Sequence, residues 1–205
     1  MTIRYAEILA AAALAAAGTA AAAQTAEEFL AAGRDAHNRG DLIGAMAAYR
    51  EAAAGGSAEA QVWLAWFLDH AEENEEAVSW YSAAAEQGDA AGIAGLAEMY
   101  AKGEGVERDP LRARQLFEQA AEAGHVRSMT VLAAAWEKGE MGLPRDEARA
   151  GDWLLQAARQ GDIRSMERVA EAYGSGALGM DADRTQADYW EKSARAARAS
   201  RKDQE

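Results

Sequence analysis

Histidine is the residue best suited to proton transfer and metal ligation near neutral pH, and this chain has three: His37, His70 and His125. None of them shares an HxxxH or HExxH segment, the spacing that sets two imidazoles on one helix face around a metal. His70 stands beside Glu72 and Glu73, a set with metal-ligating chemistry. The whole run Glu72-Glu73-Asn74-Glu75-Glu76 reads more simply as a solvated turn opening a helix, where acids meet the positive end of the backbone dipole. Asp181-Ala182-Asp183 starts like a calcium loop but lacks the glycine and the closing glutamate. Gly174-Ser175-Gly176 follows helical sequence, not a strand, and is no nucleophile elbow. No glycine-rich loop precedes a Lys-Ser or Lys-Thr pair that would cradle phosphate. The absence of Cys removes thiol nucleophiles, thiolate zinc sites and disulfides together. These residues predict a non-enzymatic chain with no catalytic residue, no cofactor and no metal site.

What the sequence offers instead is helix. Half of the 205 residues are apolar, but more than half of those are Ala, and only 7% of the chain is aromatic. No window is rich enough in Val, Ile, Thr and aromatics to make a strand, so all-β and parallel α/β folds are excluded. A net charge of −13, from 21 Lys and Arg against 34 Asp and Glu, repels phosphate backbones and anionic lipid. Nucleic acid and a peripheral membrane role are therefore disfavoured, and a neutral or basic partner is expected.

Met1 to Ala23 carries Arg4, an apolar run from Ile8 to Ala17, and Ala21, Ala22 and Ala23 before Gln24. That is the order of a secretory signal peptide, 1–23, with an A-x-A type cleavage site. The other reading is an Ala-rich first helix of the domain, and Glu7 speaks for it. The apolar run is shorter than the roughly 20 residues of a membrane span, and no other segment is apolar enough to cross a bilayer. No Cys follows Ala23, which excludes bacterial lipidation.

The remaining chain repeats itself. Ala45, Ala77, Ala113, Ala150 and Ala187 fall in register at intervals of 32 to 37 residues, which defines five units. Gly56, Gly88, Gly124 and Gly161 share the register, each soon after an Ala-Ala pair, and AAEQGD, AAEAGH and AARQGD are near copies. Leu64, Leu96, Leu132 and Val169 also align, each followed by Ala, and three residues beyond that Ala stand Leu68, Tyr100, Trp136 and Tyr173. Each unit thus predicts two helices, A and B. In the third, helix A runs from about Ala90 to Ala101, with Ile93, Leu96, Ala97 and Tyr100 forming one apolar stripe. Helix B runs from about Pro110 to Glu122, with Asp109 as N-cap and Pro110 at the first helical position. Gly103 and Gly105 between them, like Gly139 and Gly142 or Gly176 and Gly179 in later units, supply the positive φ of a tight turn. One such pair cannot bury its stripe alone, so the expected fold is an all-α, right-handed α/α solenoid.

The unit from Ala90 to Gly124 resembles a Sel-one-like repeat, a relative of the tetratricopeptide repeat. The resemblance rests on Leu96, Ala97, Tyr100, Gly103, Gly105, Val106, Asp109, Ala113, Phe117, Ala120, Ala121 and Gly124. The expected repeats are about 25–56, 57–88, 89–124, 125–161 and 162–199 within a solenoid over 24–199, followed by a polar tail over 200–205. The first is nearer a plain tetratricopeptide unit, the second lacks the glycine turn, the fourth inserts Met141-Gly142-Leu143-Pro144, and the fifth has Arg198 where the closing glycine would stand.

The resemblance implies that A helices line a concave face. Once the packing stripe is assigned, the positions left to point into it include Glu27, Leu30, Arg34 and His37, then Glu59, Val62, Trp66 and Asp69. The third unit gives Ala91, Ala94, Glu98 and Ala101, a smooth floor apart from the acid. The last two give Arg127, Thr130, Glu137, Arg164, Glu167 and Glu171. Of these, Arg34, His37, Trp66, Asp69, Glu98, Arg127, Glu137, Arg164, Glu167 and Glu171 are the candidate partner-binding residues. Trp66 has two readings: an indole not required by the stack that anchors a ligand, or a ring packed into an open seam beside Trp63. Arg127 and Arg164, one repeat apart, suit a carboxylate, or pair with Glu137, Glu167 or Glu171 on neighbouring turns. Trp80, Trp153 and Trp190 align on helix B and are expected to pack. Lys192, Arg195, Arg198, Arg201 and Lys202 make the last helix first a solvated cap, with an acidic partner as its other use.

Mixed charge on that face favours a protein or peptide segment over an apolar small molecule. The expected function is that of a periplasmic or secreted bacterial adaptor or regulator without catalytic activity. The alternative is a cell-wall-associated protein that binds peptidoglycan or acts on it.

Overall fold

Alanine-rich segments, most opened by a capping side chain and parted by glycine turns, fold into ten helices across residues 25–202, which are the residues the computed structural model describes. The predicted signal peptide 1–23 and residues 203–205 of the predicted polar tail lie outside the described residues. After α1 (25–38) come α2 (Leu42–Ala54), α3 (Ala58–His70), α4 (Asn74–Glu86) and α5 (Ala90–Lys102). Then follow α6 (Pro110–Glu122), α7 (Val126–Lys138), α8 (Glu147–Arg159), α9 (Ile163–Ser175) and α10 (Arg184–Lys202). No strand occurs among the described residues. The all-α helix-pair fold expected from the repeats is the fold observed, with α6 spanning the predicted residues.

Side chains start these helices. Asp41, Ser57, Asp109, Asp146 and Asp162 each accept a hydrogen bond from a backbone N–H in the first turn of the helix that follows. His125 caps α7 with Nδ1, which accepts from the Ser128 N–H at 3.3 Å. That is the structural use of one of the three histidines.

Among the described residues, 25–96 with Glu104–Val106 form one compact unit; Ala97–Gly103 and residues 107–202 form a second. In the first unit Ala45, Ala52, Ala77 and Ala84 are fully buried, and Tyr49 and Leu64 fill the space between helices. Gly95 lets α5 approach α4: a Cβ there would lie 2.7 Å from Cζ of the Tyr81 ring. In the second unit Leu154, Met166, Val169 and Trp190 form one cluster with Trp153 and Tyr173 against it. Leu143, from the inserted turn of the fourth repeat, packs with Trp136 and Ala150. Trp190 and Trp153 thus pack, as their place on B helices suggested, and Trp80 is half-buried with Nε1 donating to Glu76 at 3.2 Å.

One hydrogen bond recurs at the A-to-B turn. The N–H of the residue before helix B donates to the carbonyl of the large side-chain residue near the end of helix A. The pairs are Glu73 to Leu68 (2.9 Å), Asp109 to Tyr100 (2.9 Å), Asp146 to Trp136 (2.9 Å) and Asp183 to Tyr173 (2.8 Å). The glycines Gly103, Gly105, Gly139, Gly142, Gly176 and Gly179 take the positive φ expected of them. The second repeat has no glycine there, and Glu72 bears a φ of 63° in its place. Glu72 is exposed, so Glu72→Gly removes side-chain strain at no loss of packing. We expect a gain of about 0.5 to 1 kcal/mol in a urea melt; a loss would contradict the strain.

Candidate functional site

In the first unit, Arg34 on α1 meets Glu59 on α3 in a forked pair. Its Nε donates to Oε1 at 2.9 Å and its Nη2 donates to Oε2. The Glu59 hydrogen bond, and then its charge, push the Arg34 guanidinium pKa above its ordinary value. Both side chains are about half exposed, so the pair orients the two groups more than it stabilises the fold. His37 is half-buried and edge-on to Trp63, with ring centroids 4.9 Å apart, and its Nδ1 has no hydrogen-bond partner among the described residues. Tyr49 stacks on the same Trp63 at 5.7 Å; burial pushes its phenol pKa up, and Glu59 adds to the effect.

Trp66 extends this aromatic group to the surface. It meets Trp63 at 6.2 Å and Phe67 at 5.1 Å edge-on and lies 4.0 Å from the His70 ring, yet it remains 39% exposed. Of the two readings of Trp66, the ring does pack beside Trp63, and part of the indole stays open to solvent. Asp69 is half-buried and in no ion pair among the described residues. The smooth floor is only partly there, because Ala94 is 3% exposed. Its methyl group is too short to reach past the side chains around it.

The sequence reading missed a neighbouring groove. Phe67 and His70 line about 540 Å³ of open space together with Leu42, Ile43, Met46 and Ala47 of α2. Ile43 is 86% exposed. The signal was available: α2 carries two apolar stripes at helical spacing, one through Ala45, Tyr49 and Ala52 and another through Leu42, Ile43, Met46 and Ala47, and a helix with one neighbouring core can bury only one of them.

In the second unit four of the predicted charges, Glu98, Arg127, Glu137 and Glu167, find partners, though not the expected ones. Arg127 pairs with Glu98 at 3.2 Å, one repeat back, instead of with Glu137, Glu167 or Glu171. Glu137 pairs with Arg168, and Glu167 with Arg198 of the last helix. The pairs run across equivalent heights of successive repeats, not along one helix, because a neighbouring repeat brings the opposite charge closer. Glu171 is exposed and in no ion pair among the described residues, and the same holds for Arg164. Arg127, Arg164 and Arg168 nonetheless line one pocket of about 480 Å³ with Thr130 and Ser165. Arg168 was not named from the sequence; its spacing of 31 residues from Glu137 was the available signal.

Among the described residues no group of three His, Cys, Asp or Glu side chains converges on a point that would hold a metal ion. No described helix is long and apolar enough to cross a membrane. What the residues build are capped helix pairs with exposed aromatic and charged faces. The model of the Sel1 repeat matches residues 58–89, 90–125, 126–162 and 163–197, and the chain belongs to this repeat family. Its fold is similar to the crystal structure of a Sel1 repeat protein from Oxalobacter formigenes, at 29% identity and a TM-score of 0.72 over 82% of this chain and 70% of that one. It is also similar to c5321, a protective antigen of uropathogenic Escherichia coli with an SLR fold, at 27% identity and a TM-score of 0.69 over 87% of this chain. The match spans 38% of the c5321 chain. No curated protein sequence matches. Sel1 repeat proteins are typically scaffolds for protein interaction, generally without catalysis, and protein partners are the class this family suggests.

Proposed function

We propose that the chain is an exported bacterial adaptor or regulator that holds a segment of a partner protein against the exposed faces of its A helices. The observation that carries this reading is Trp66, an indole left 39% exposed at the edge of a packed aromatic group and sharing Phe67 and His70 with an apolar groove. Apolar side chains gathered into one patch, unlike ones scattered singly, are a mark of an interaction surface. Tryptophan is also the residue type most often found at the energetic centre of protein interfaces. Export rests on the order of residues in Met1 to Ala23, and a tagged chain recovered from the envelope is expected to begin at Gln24.

The test is an in-cell crosslink and pull-down from the envelope fraction, run beside Trp66→Ala. We expect one enriched protein, with affinity lowered about tenfold by Trp66→Ala. Equal capture by both chains would remove the site. Retention on isolated cell-wall sacculi with no enriched protein would replace the adaptor reading by the cell-wall one.

A further inference from the structure

The pocket between α7 and α9 has a composition that the rest of this acidic chain does not. Arg127, Arg164 and Arg168 face one space of about 480 Å³ in a protein of net charge −13, with Asp162 the one carboxylate of its lining. Two of the three guanidinium groups hold a carboxylate of the chain itself: Arg127 holds Glu98 at 3.2 Å, and Arg168 holds Glu137. Arg164 is exposed and has no carboxylate partner among the described residues. Arginine presents a fork of donors that matches a carboxylate, so the two occupied arginines show which ligand chemistry this geometry accepts.

A second observation points the same way. Ser165 lines the pocket, is 1% exposed, and its Oγ makes no hydrogen bond among the described residues. Its counterpart one repeat earlier, Ser128, is equally buried but shares a 2.8 Å hydrogen bond with His125 Nδ1. In the later repeat the cap is Asp162, whose carboxylate takes the Ser165 N–H at 2.8 Å and leaves the hydroxyl unmatched. Buried hydroxyls without partners are uncommon, and a donor left over beside an unpaired guanidinium calls for an acceptor oxygen. Leu154 and Val126 give the same pocket an apolar wall.

We infer that this pocket binds an acidic peptide segment, with a carboxylate on Arg164 and a neighbouring apolar side chain against Leu154 and Val126. The inference rests on the reading of the chain as a protein-binding adaptor and assigns a chemistry to one part of the partner. Glu98 and Glu137 are then internal competitors that occupy the flanking arginines when no ligand is bound. The nearest charges to the ligand are local, because solvent ions screen the rest of the negative protein beyond about 8 Å at physiological salt.

The experiment is fluorescence anisotropy with the full chain and a labelled peptide of sequence Asp-Glu-Leu-Asp-Glu. Its uncharged counterpart Asn-Gln-Leu-Asn-Gln and inorganic phosphate serve as the other probes. The acidic peptide is expected to bind and the uncharged one not. Arg164→Gln should weaken binding about tenfold, the equivalent of one good charge-assisted hydrogen-bonded pair. Glu98→Gln should tighten binding, because it releases Arg127. That opposite sign separates a binding role from a structural one, and both variants change exposed or half-exposed groups. Equal binding by wild type and Arg164→Gln, or no binding by wild type, would overturn the inference. Inorganic phosphate binding as tightly as the peptide would reduce the pocket to a general anion site and overturn it as well. A partner captured in cells and lost with Trp66→Ala but not with Arg164→Gln would leave the adaptor reading standing and this inference refuted.

Discussion

Gly105→Ala lowers the stability of the protein by about 2 to 4 kcal/mol, the sum of a left-handed backbone forced on a side chain and an overlap that cannot relax. The residue has a φ of 67°. A Cβ built on it would overlap the Asn74 carbonyl and lie 2.8 Å from the Glu75 nitrogen. Those are backbone atoms at the start of α4, so no change of rotamer makes room. The segment Glu104–Val106 belongs to the same compact unit as that helix start, and a shift of either would unpair the turn. Urea unfolding of the two chains measures the difference. A change under 0.5 kcal/mol would mean that the turn does not press on α4.

The second large effect is Ala113→Leu, expected to cost about 1 to 3 kcal/mol by overpacking. Ala113 is fully buried, and so are Ala45, Ala77 and Ala150 in the same register, with Ala187 at 4% exposure. Five units place a methyl group and nothing larger where helix B meets its neighbour. Glu98→Gln, which removes one partner of an ion pair whose arginine is 71% exposed, should change stability by about 0.5 kcal/mol or less. Thermal melts showing equal losses for the two substitutions would break the repeat alignment itself.

That alignment explains why so much of the fold is readable from the chain. Positions that recur as Ala are the positions at which helices touch, and every repeat tests the same geometry again. Ala65, Ala97 and Ala133 are fully buried and Ala170 nearly so, as the Leu-Ala and Val-Ala pairs suggested. Helix ends were legible where Asp, Pro and Gly carry them. His125 was legible in the same way, because the near copies AAEQGD, AAEAGH and AARQGD set it in register with Asp89 and Asp162, and it caps α7 as they cap their helices. The site was less legible than the fold. Trp66 stood out because its register holds polar or small residues in other repeats, whereas Leu42 and Ile43 were hidden by the assumption that an apolar residue on a helix faces the core. Ion pairs between residues 25 to 31 apart depend on how far one repeat is offset from the next, and that offset is not written in any single helix.

The hydrogen bond that closes each A-to-B turn has a further consequence. It joins residues as close in the chain as Leu68 and Glu73 and as far as Trp136 and Asp146, at nearly the same length. Doubling the length of a flexible loop costs only about 0.6 kcal/mol, so a closure fixed at its two ends makes turn length almost free. At turn positions that touch no neighbouring helix, unlike Gly105 and Leu143, residues can therefore be gained or lost in evolution, or a reporter inserted by design, while the helices on either side keep their pairing. A chain built this way diversifies at its edges and touches its core only where a turn residue, such as Leu143, reaches into it.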